Sequence, residues 1–594
     1  MSKVAMSEEG TGLAGGAGDD FYDYIVVGSG PGSAGFIHEL LNRQPEASVL
    51  WCEEGELIGD NGDGLVAWPD ALGPQIRKGN VPNHRFTKRH WLRARSWKGF
   101  GGEPITLNPC PIPTIYPNLC NLNSGYNSAR ISGGDALNSG GPNQIGLLKA
   151  ENSDQRRVWK LRNQNIQPDG TTDAFGQTPL GDRFIDAFTE DAGGPVRFPT
   201  DVPDELRPGS GFVGFYPSSI YPNPMGRRFL AEKLYARFSP GPDRLSLRLG
   251  TKIVRLEVEE TPTGPRVIGV VAQPQYGGEV AYHAGKVILA AGIFGTFSLL
   301  VDSGTGPPEA LDTRGVATAD RHIENFHIGR NVGDEMFVTC LFVAAKDQGR
   351  PPPQGRVAPL VGARAVDNRT QLVVWPRGLP TILALISKLQ LLLRLLLTPF
   401  AKHWSYLSVS LDSKPNMTLK ATTDSVEIDD SNVTFTPDMM AQYNSAIPAL
   451  KKFLCRNQKA PQSFWRRWHR FWLRILTPII HNRVIGPLIG MPPGVDEFNL
   501  EVKQDAAAYK QLATYNHFYG GAQPIKVLNS NFELYQTPPS PNKTEAENLR
   551  RDAMKGLHIA DASVIPALTP GGPTASVMEM GVRVAERVCG ETLP

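Results

Sequence analysis

The chain has 594 residues, too many for one hydrophobic core, so two or three domains are expected. Lys and Arg number 61 against 59 Asp and Glu, a net charge of +2 that gives no reason to expect nucleic acid or a strongly acidic substrate. Glycine (61) and proline (50) run a little above the usual share, which points to many turns rather than to disorder.

The first 20 residues hold no basic region followed by an apolar run, and read as a flexible leader over 1–20 rather than a signal peptide. No stretch reaches ~18 uninterrupted apolar residues, so no transmembrane helix is expected. The expected location is intracellular, cytoplasmic or peripherally membrane-associated. The six cysteines stand at no metal-like spacing, and no metal site is expected. Cys110 and Cys120 are near enough in sequence to pair, although a chain without export signals seldom forms such a bond.

From Asp23 to Gly28 the chain is β-branched and aromatic, as a buried parallel strand should be. Gly28, Gly30 and Gly32 follow, then Ser33, Ala34 and Gly35, and then FIHELLNRQ with helical spacing. Glycines let a backbone turn tightly and approach a pyrophosphate, whose charge sits at the helix N-terminus. Ser33 takes the third glycine position of the strict pattern, a tolerable small-residue departure. A second strand, Ser48–Cys52, closes at Glu53, 23 residues after Gly30, about where a ribose-binding carboxylate is expected. Strand, turn, helix, strand and acid in register make a dinucleotide site, and locally FAD and NAD both fit.

Further along, Lys252–Glu257 reads as a strand, and Lys286–Ala290 as another running into Ala291 and Gly292, where backbone can come close to a cofactor. Residues 347–355 form an exposed loop candidate. Residues 378–400 are leucine-rich with only Lys388 and Arg394 charged, and prolines punctuate both ends. Residues 463–480 interleave Phe464, Trp465, Trp468, Phe471 and Trp472 with four arginines, a composition suited to a bilayer interface. Together these two stretches suggest peripheral membrane contact around a lipophilic substrate entrance, against the plainer reading of 378–400 as core. Near the end, Gly571-Gly572-Pro573 precedes an apolar helix expected over 573–589, with Gly590 past its C-terminus.

Four segments resemble, in order, the glucose–methanol–choline (GMC) oxidoreductases. Gly133-Gly134-Asp135-Ala136-Leu137-Asn138 is similar to that family's GG-rich segment. VILAAGIFGTFSLLVDSGTG (287–306) resembles its second signature, with Phe297 where proline is usual and Thr305 where an aliphatic is usual. IGRNVGDEM (328–336) resembles VGxNLxDH with Glu335 at the histidine, and GLHIADASVIP (556–566) resembles LRVVDASVMP. The segments at about 155–240 and 340–510 do not align.

The resemblance implies an α/β fold: a Rossmann-like FAD-binding domain, discontinuous over 21–154, 241–340 and 545–594, and an α+β substrate-binding domain over 155–240 and 341–544. It implies FAD as cofactor, with Val254 on the strand beside the adenine, Asp561 and Ala562 near the ribityl and pyrophosphate portion, and Pro573 and Thr574 at the helix end facing the flavin. Asn138 stands where some relatives carry the histidine that bonds FAD covalently, so noncovalent FAD is expected. The implied reaction is oxidation of CH–OH to a carbonyl, with hydride transfer to flavin N5 and a histidine as base. Asn516-His517-Phe518-Tyr519-Gly520-Gly521 matches the family's HxxGT-like segment with Gly521 at the threonine, which makes His517 the candidate base. Gly572 stands at the second catalytic position, where the family has His or Asn, and has no side chain to orient a substrate oxygen. That departure leaves redox-neutral lyase or isomerase chemistry, or a noncatalytic membrane-associated role, as alternatives. Oxygen or an electron carrier is the expected second partner.

Overall fold

The expected first strand is β1 (Phe21–Val27), buried from Tyr24 onward, in a computed structural model that describes residues 21–56, 82–90, 92–96, 98, 212–218, 234–235, 238–239, 244–343, 360–365, 370–375, 404–459, 464–476, 494–502, 507–524, 526–566 and 574–590. Gly133, Gly134, Asn138, Gly572, Pro573, the loop candidate 347–355, the stretch 378–400 and the Cys110/Cys120 pair lie outside the described residues. Helix α1 (Pro31–Arg43) follows β1, and β2 (Val49–Cys52) pairs in parallel with it. The helix starts well before FIHELL, because Pro31 has the fixed φ and missing N–H that suit a first helical position. Gly32, Ser33 and Gly35 are therefore the first turns of the helix and not a loop before it.

The strand predicted over 252–257 is the central part of β7 (Thr251–Thr261), which turns back into β8 (Gly264–Pro274) and then β9 (Val280–Leu289). Counting β3 (Asn83–Arg85), β4 (Arg93–Arg95), β5 (Phe212–Ser218) and β6 (Leu245–Arg248) before them, the first sheet runs β6-β2-β1-β9-β8-β7. Its β6, β2, β1 and β9 are parallel, while β8 and β7 form an antiparallel extension. Helix α2 (Gly292–Asp302) leaves the end of β9.

A second sheet is built from β11 (Met336–Val343), β12 (Leu360–Ala365), β13 (Thr370–Trp375), β14 (Trp404–Leu411) and β17 (Val495–Asp496), in the order β17-β11-β14-β13-β12-β5, with β18 (Ala513–Thr514) also on β11. Every residue of β11 is buried, which marks it as an interior strand. A small sheet of β16 (Val426–Asp429), β15 (Met417–Ala421), β10 (Arg330–Gly333) and β19 (Tyr519–Gly521) stands with these. Helices α3 (Pro437–Lys459) and α4 (Phe464–Leu476) follow β16.

The chain closes on its own beginning. β20 (Leu557–Ile559) joins β9 in parallel, and α5 (Thr574–Val588) packs on α1. The approach is close because Gly581 has no side chain: a Cβ there would stand 2.0 Å from Gly32 O and 2.7 Å from Phe36 N. Gly590 follows α5 at φ +87°, the left-handed conformation that ends helices. One buried ion pair ties the β3–β4 segment to the loop after β16: Arg89 Nε donates to Asp430 Oδ2 at 2.7 Å, both side chains fully buried.

Candidate active site

Four parallel strands end together. Ala290 N donates to Val27 O (2.8 Å), Ala560 N to Leu289 O (2.8 Å) and Gly28 N to Cys52 O (2.8 Å), so the residues just past β1, β2, β9 and β20 share one edge of the sheet. Ligands of open α/β sheets bind outside such carboxyl ends. This edge brings together Gly28, Gly30, Gly32, Ser33, Glu53, Ala291, Gly292, Asp561 and Ala562, nine of the residues expected from sequence to hold the cofactor.

Each glycine of the turn has a separate reason. Gly28 has φ +92°, and a Cβ there would lie 2.5 Å from Ala290 O. At Gly32 a Cβ would lie 1.9 Å from Ala560 O, so α1 could not sit so near the end of β20 with any side chain at that position. Gly30 differs, since its φ is ordinary and a Cβ would meet only Ala290 O at 3.9 Å. The fold does not require glycine there; the open space beside it is what a phosphate group approaching the backbone needs. Gly292 also faces open space, at φ +73°. The N-terminus of α1 has no side-chain cap and no acid in its first turn, so its positive pole is not neutralised from within the helix. Ser33 turns its hydroxyl inward to Gly30 O (2.7 Å), which explains how serine serves in a glycine position. On these observations the residues present fit an ADP moiety.

Glu53 is buried and already engaged. Its Oε2 accepts from Ser29 N (3.0 Å) and Ser29 Oγ (2.6 Å), and its Oε1 from Gly55 N (2.8 Å). Thr251 N bonds Glu53 O (2.9 Å), which ties the start of β7, and with it half-buried Val254, to this corner. Asp561 is buried too. Its carboxylate accepts from Ser563 N (2.9 Å), from the Ser563 hydroxyl and from Thr296 Oγ1 (2.5 Å). Burial pushes its pKa up, while the bonds from Ser563, Thr296 and the Gly292 backbone pull it down. Asp561 thus caps the short turn 562–564 and ties it to α2; Ser29 and Thr296, the partners of the two acids, gave no signal in sequence.

His517 lies in the turn between β18 and β19. Asn516 before it adopts φ +61°, a conformation that asparagine tolerates. The His517 backbone N–H donates to Asp334 Oδ1 (3.0 Å), its Nδ1 stands 2.6 Å from Glu335 Oε2, and its ring stacks on Tyr515 at 5.5 Å between centroids. Glu335 is buried and the imidazole is 18% exposed. A carboxylate only accepts, so Nδ1 carries the hydrogen, and Nε2 makes no hydrogen bond among the described residues. This tautomer is inferred from the partner. Burial pushes the Asp334 pKa up to about 7, against the pull of Thr514, His517 and Arg89.

Two links join this pair to the glycine edge. Ala522 N donates to Ser563 O (3.0 Å), and Phe294 of α2 meets Phe518 edge-on at 5.3 Å. The described residues therefore connect His517 to Asp561 and Gly292 through short, buried contacts. Thr574 opens α5. The role of Glu335 was not read from sequence, although its segment was aligned; the signal was the acid standing at a family histidine.

No family model matches the chain. A GMC-type oxidoreductase of Rhodococcus erythropolis, uncharacterized and encoded in the thcA 5' region, is 24% identical over 339 residues, which cover 53% of this chain and 59% of that relative. The chain thus spans less than two thirds of that relative's length. Among solved structures, pyridoxine 4-oxidase from Mesorbium loti superimposes with a TM-score of 0.58 at 17% identity, over 95% of this chain and 98% of that one. Formate oxidase from Aspergillus oryzae, a protein studied for its FAD modification, superimposes with a TM-score of 0.60 at 14% identity, over 96% and 99%. The likeness is one of fold along nearly the whole length, and it agrees with the resemblance read from the four sequence segments.

Proposed function

We propose that this chain, whose fold is that of the GMC oxidoreductases, is an FAD-dependent enzyme that oxidises a CH–OH group to a carbonyl. The observation that carries the reading is the Glu335–His517 pair, an imidazole fixed at Nδ1 with Nε2 unbonded among the described residues, on a segment tied to the same strand ends as the glycine turn.

The backbone at Gly28, Gly30 and Gly32 with the first turn of α1 takes the pyrophosphate, Glu53 the adenosine ribose, and the Asp561–Ala562 turn with Ala291 and Gly292 the middle of the cofactor. Val254, Gly133, Gly134, Asn138, Pro573 and Thr574 complete the proposed cofactor contacts by resemblance. Asparagine at 138 has no imidazole to form the covalent link, so the FAD is noncovalent. Bound FAD supplies an acceptor for the hydride at its N5. His517 takes the hydroxyl proton at Nε2, and the Glu335 carboxylate stabilises the imidazolium that forms. With glycine at 572, the orientation of the substrate oxygen falls to neighbours such as Tyr515 and Asn516. Losing one oriented group costs roughly 10²-fold in rate without abolishing turnover. The substrate is a lipophilic small molecule, and oxygen or an electron carrier reoxidises the cofactor. The proposed domain division keeps the one expected from sequence, with 155–240 and 341–544 forming the substrate-binding domain.

The test is the absorption spectrum of the purified protein before and after acid precipitation, followed by anaerobic addition of alcohols. The expected result is a flavin band that leaves with the supernatant and bleaches with substrate. Turnover without bleaching would favour lyase or isomerase chemistry, and protein that takes up no flavin would sink the proposal.

A further inference from the structure

Helix α4 is turned inside out relative to a surface helix that packs on a core. Five of its apolar residues point outward: Phe464 is 73% exposed, Trp465 63%, Trp468 43%, Phe471 55% and Ile475 40%. At 100° per residue these positions fall on one face. The opposite side is turned to the body, where His469 is buried and Arg470 Nε lies 3.3 Å from buried Glu497. The ion pair fixes which side of the helix faces in. Phe498, 45% exposed, extends the patch beneath the Arg474 guanidinium at 5.9 Å from its ring.

The charge carried by the helix itself has one sign. Between Met439 and Val495 the chain holds no Asp or Glu and nine Lys or Arg, in a protein whose total is only +2. Of these, Arg467 and Arg474 are exposed along one flank of the aromatic face. Exposed apolar surface at such density marks an interaction site. Indole rings and aliphatic tips beside arginines match the headgroup layer, where the rings lie at the boundary and the guanidiniums meet phosphate. No helix among the described residues is long and apolar enough to cross a membrane.

We propose that the outward face of α4, with Phe498, docks the protein on an anionic phospholipid surface, α4 lying in the plane of the interface. Charge complementarity selects this occupant over a neutral apolar partner. The proposal does not rest on the reading of the active site, because its readout is partition and not activity.

The test is flotation of the full chain with vesicles of phosphatidylcholine and phosphatidylglycerol, and with phosphatidylcholine alone. We expect at least ~10-fold stronger binding to the anionic vesicles, weakened by salt. The exposed triple variant Trp465→Ser, Trp468→Ser, Phe471→Ser should lose ~10-fold or more of that binding with an unchanged melting temperature. Arg467→Glu with Arg474→Glu should abolish the preference for the anionic vesicles. Absence of binding by the unmodified chain overturns the proposal, as does binding that both variants retain. So does a shift in oligomeric state on the Trp substitutions without vesicle binding, which would make the face a contact between copies. Retention by duplex DNA in place of vesicles would overturn it as well.

Discussion

Glu335 Oε2 stands 2.6 Å from His517 Nδ1, a carboxylate and an imidazole brought together across 182 residues of sequence. Asp334, the next residue along, accepts the backbone N–H of His517 at 3.0 Å. Two adjacent acids just before β11 thus hold both the ring and the main chain of one histidine.

Glu335→Gln is expected to lower kcat by about 10–10²-fold, and His517→Ala by about 10²–10⁴-fold, with the flavin band of both proteins unchanged. The amide can accept at Nδ1–H but cannot neutralise an imidazolium. Steady-state kinetics on protein of known flavin content would check this, and a Glu335→Gln enzyme as fast as the parent would remove Glu335 from the reaction.

Asp334 has its pKa raised to about 7 in the folded protein by burial, whereas in the unfolded chain it returns to the ordinary carboxylate range. Between about pH 4 and 7 the folded state holds the extra proton, so this group's contribution falls as pH rises, by at most about 1.4 kcal/mol per unit. Asp334→Asn should be close to neutral near the bottom of that window and stabilising above it. Thermal melts of both proteins across the window would show the gap opening with pH; a constant gap would refute the assignment.

Gly30→Ala and Gly32→Ala should fail differently. A Cβ at Gly30 meets little protein, so the variant is expected to fold normally and bind FAD at least ~10-fold more weakly, because the added methyl occupies the phosphate's approach. At Gly32 the Cβ would collide with Ala560 O, and a loss of ~3 kcal/mol or more of stability is expected. Denaturation curves paired with cofactor titration separate the two effects.

Asp430→Ala leaves Arg89 charged and buried without its partner, which should cost about 3–5 kcal/mol. Replacing both residues together, Arg89→Met with Asp430→Leu, should cost much less, and equal losses in chemical denaturation would contradict this account.

The N-terminal unit was legible in sequence because its signals are local: β-branched residues in a run, glycines at a strand end, and an acid after the second strand. Only the helix start was displaced, since Pro31 outweighs the glycines around it. The end of β9 and α5 were legible for the same reason, and β20 through the family resemblance of its segment. The second sheet was not, because most of its pairings, β5 with β12, β11 with β14 and β13 with β14, join strands far apart in sequence; of these five strands only β12 and β13 pair locally. The partners Ser29 and Thr296 were invisible because a hydrogen bond between distant segments leaves no periodic trace, while Glu335 showed only as an acid at a family histidine position. The inverted face of α4 was legible as composition, and became a direction only once Arg470 was seen facing Glu497.

The contact between Gly581 and Gly32 has a consequence for biogenesis. The ribosome releases β1, the glycine turn and α1 long before β20 and α5, which close over them. The proposed nucleotide pocket is therefore unfinished until α5 has emerged. Cofactor uptake is expected only once α5 has been made, and a chain cut short before α5 should stay colourless.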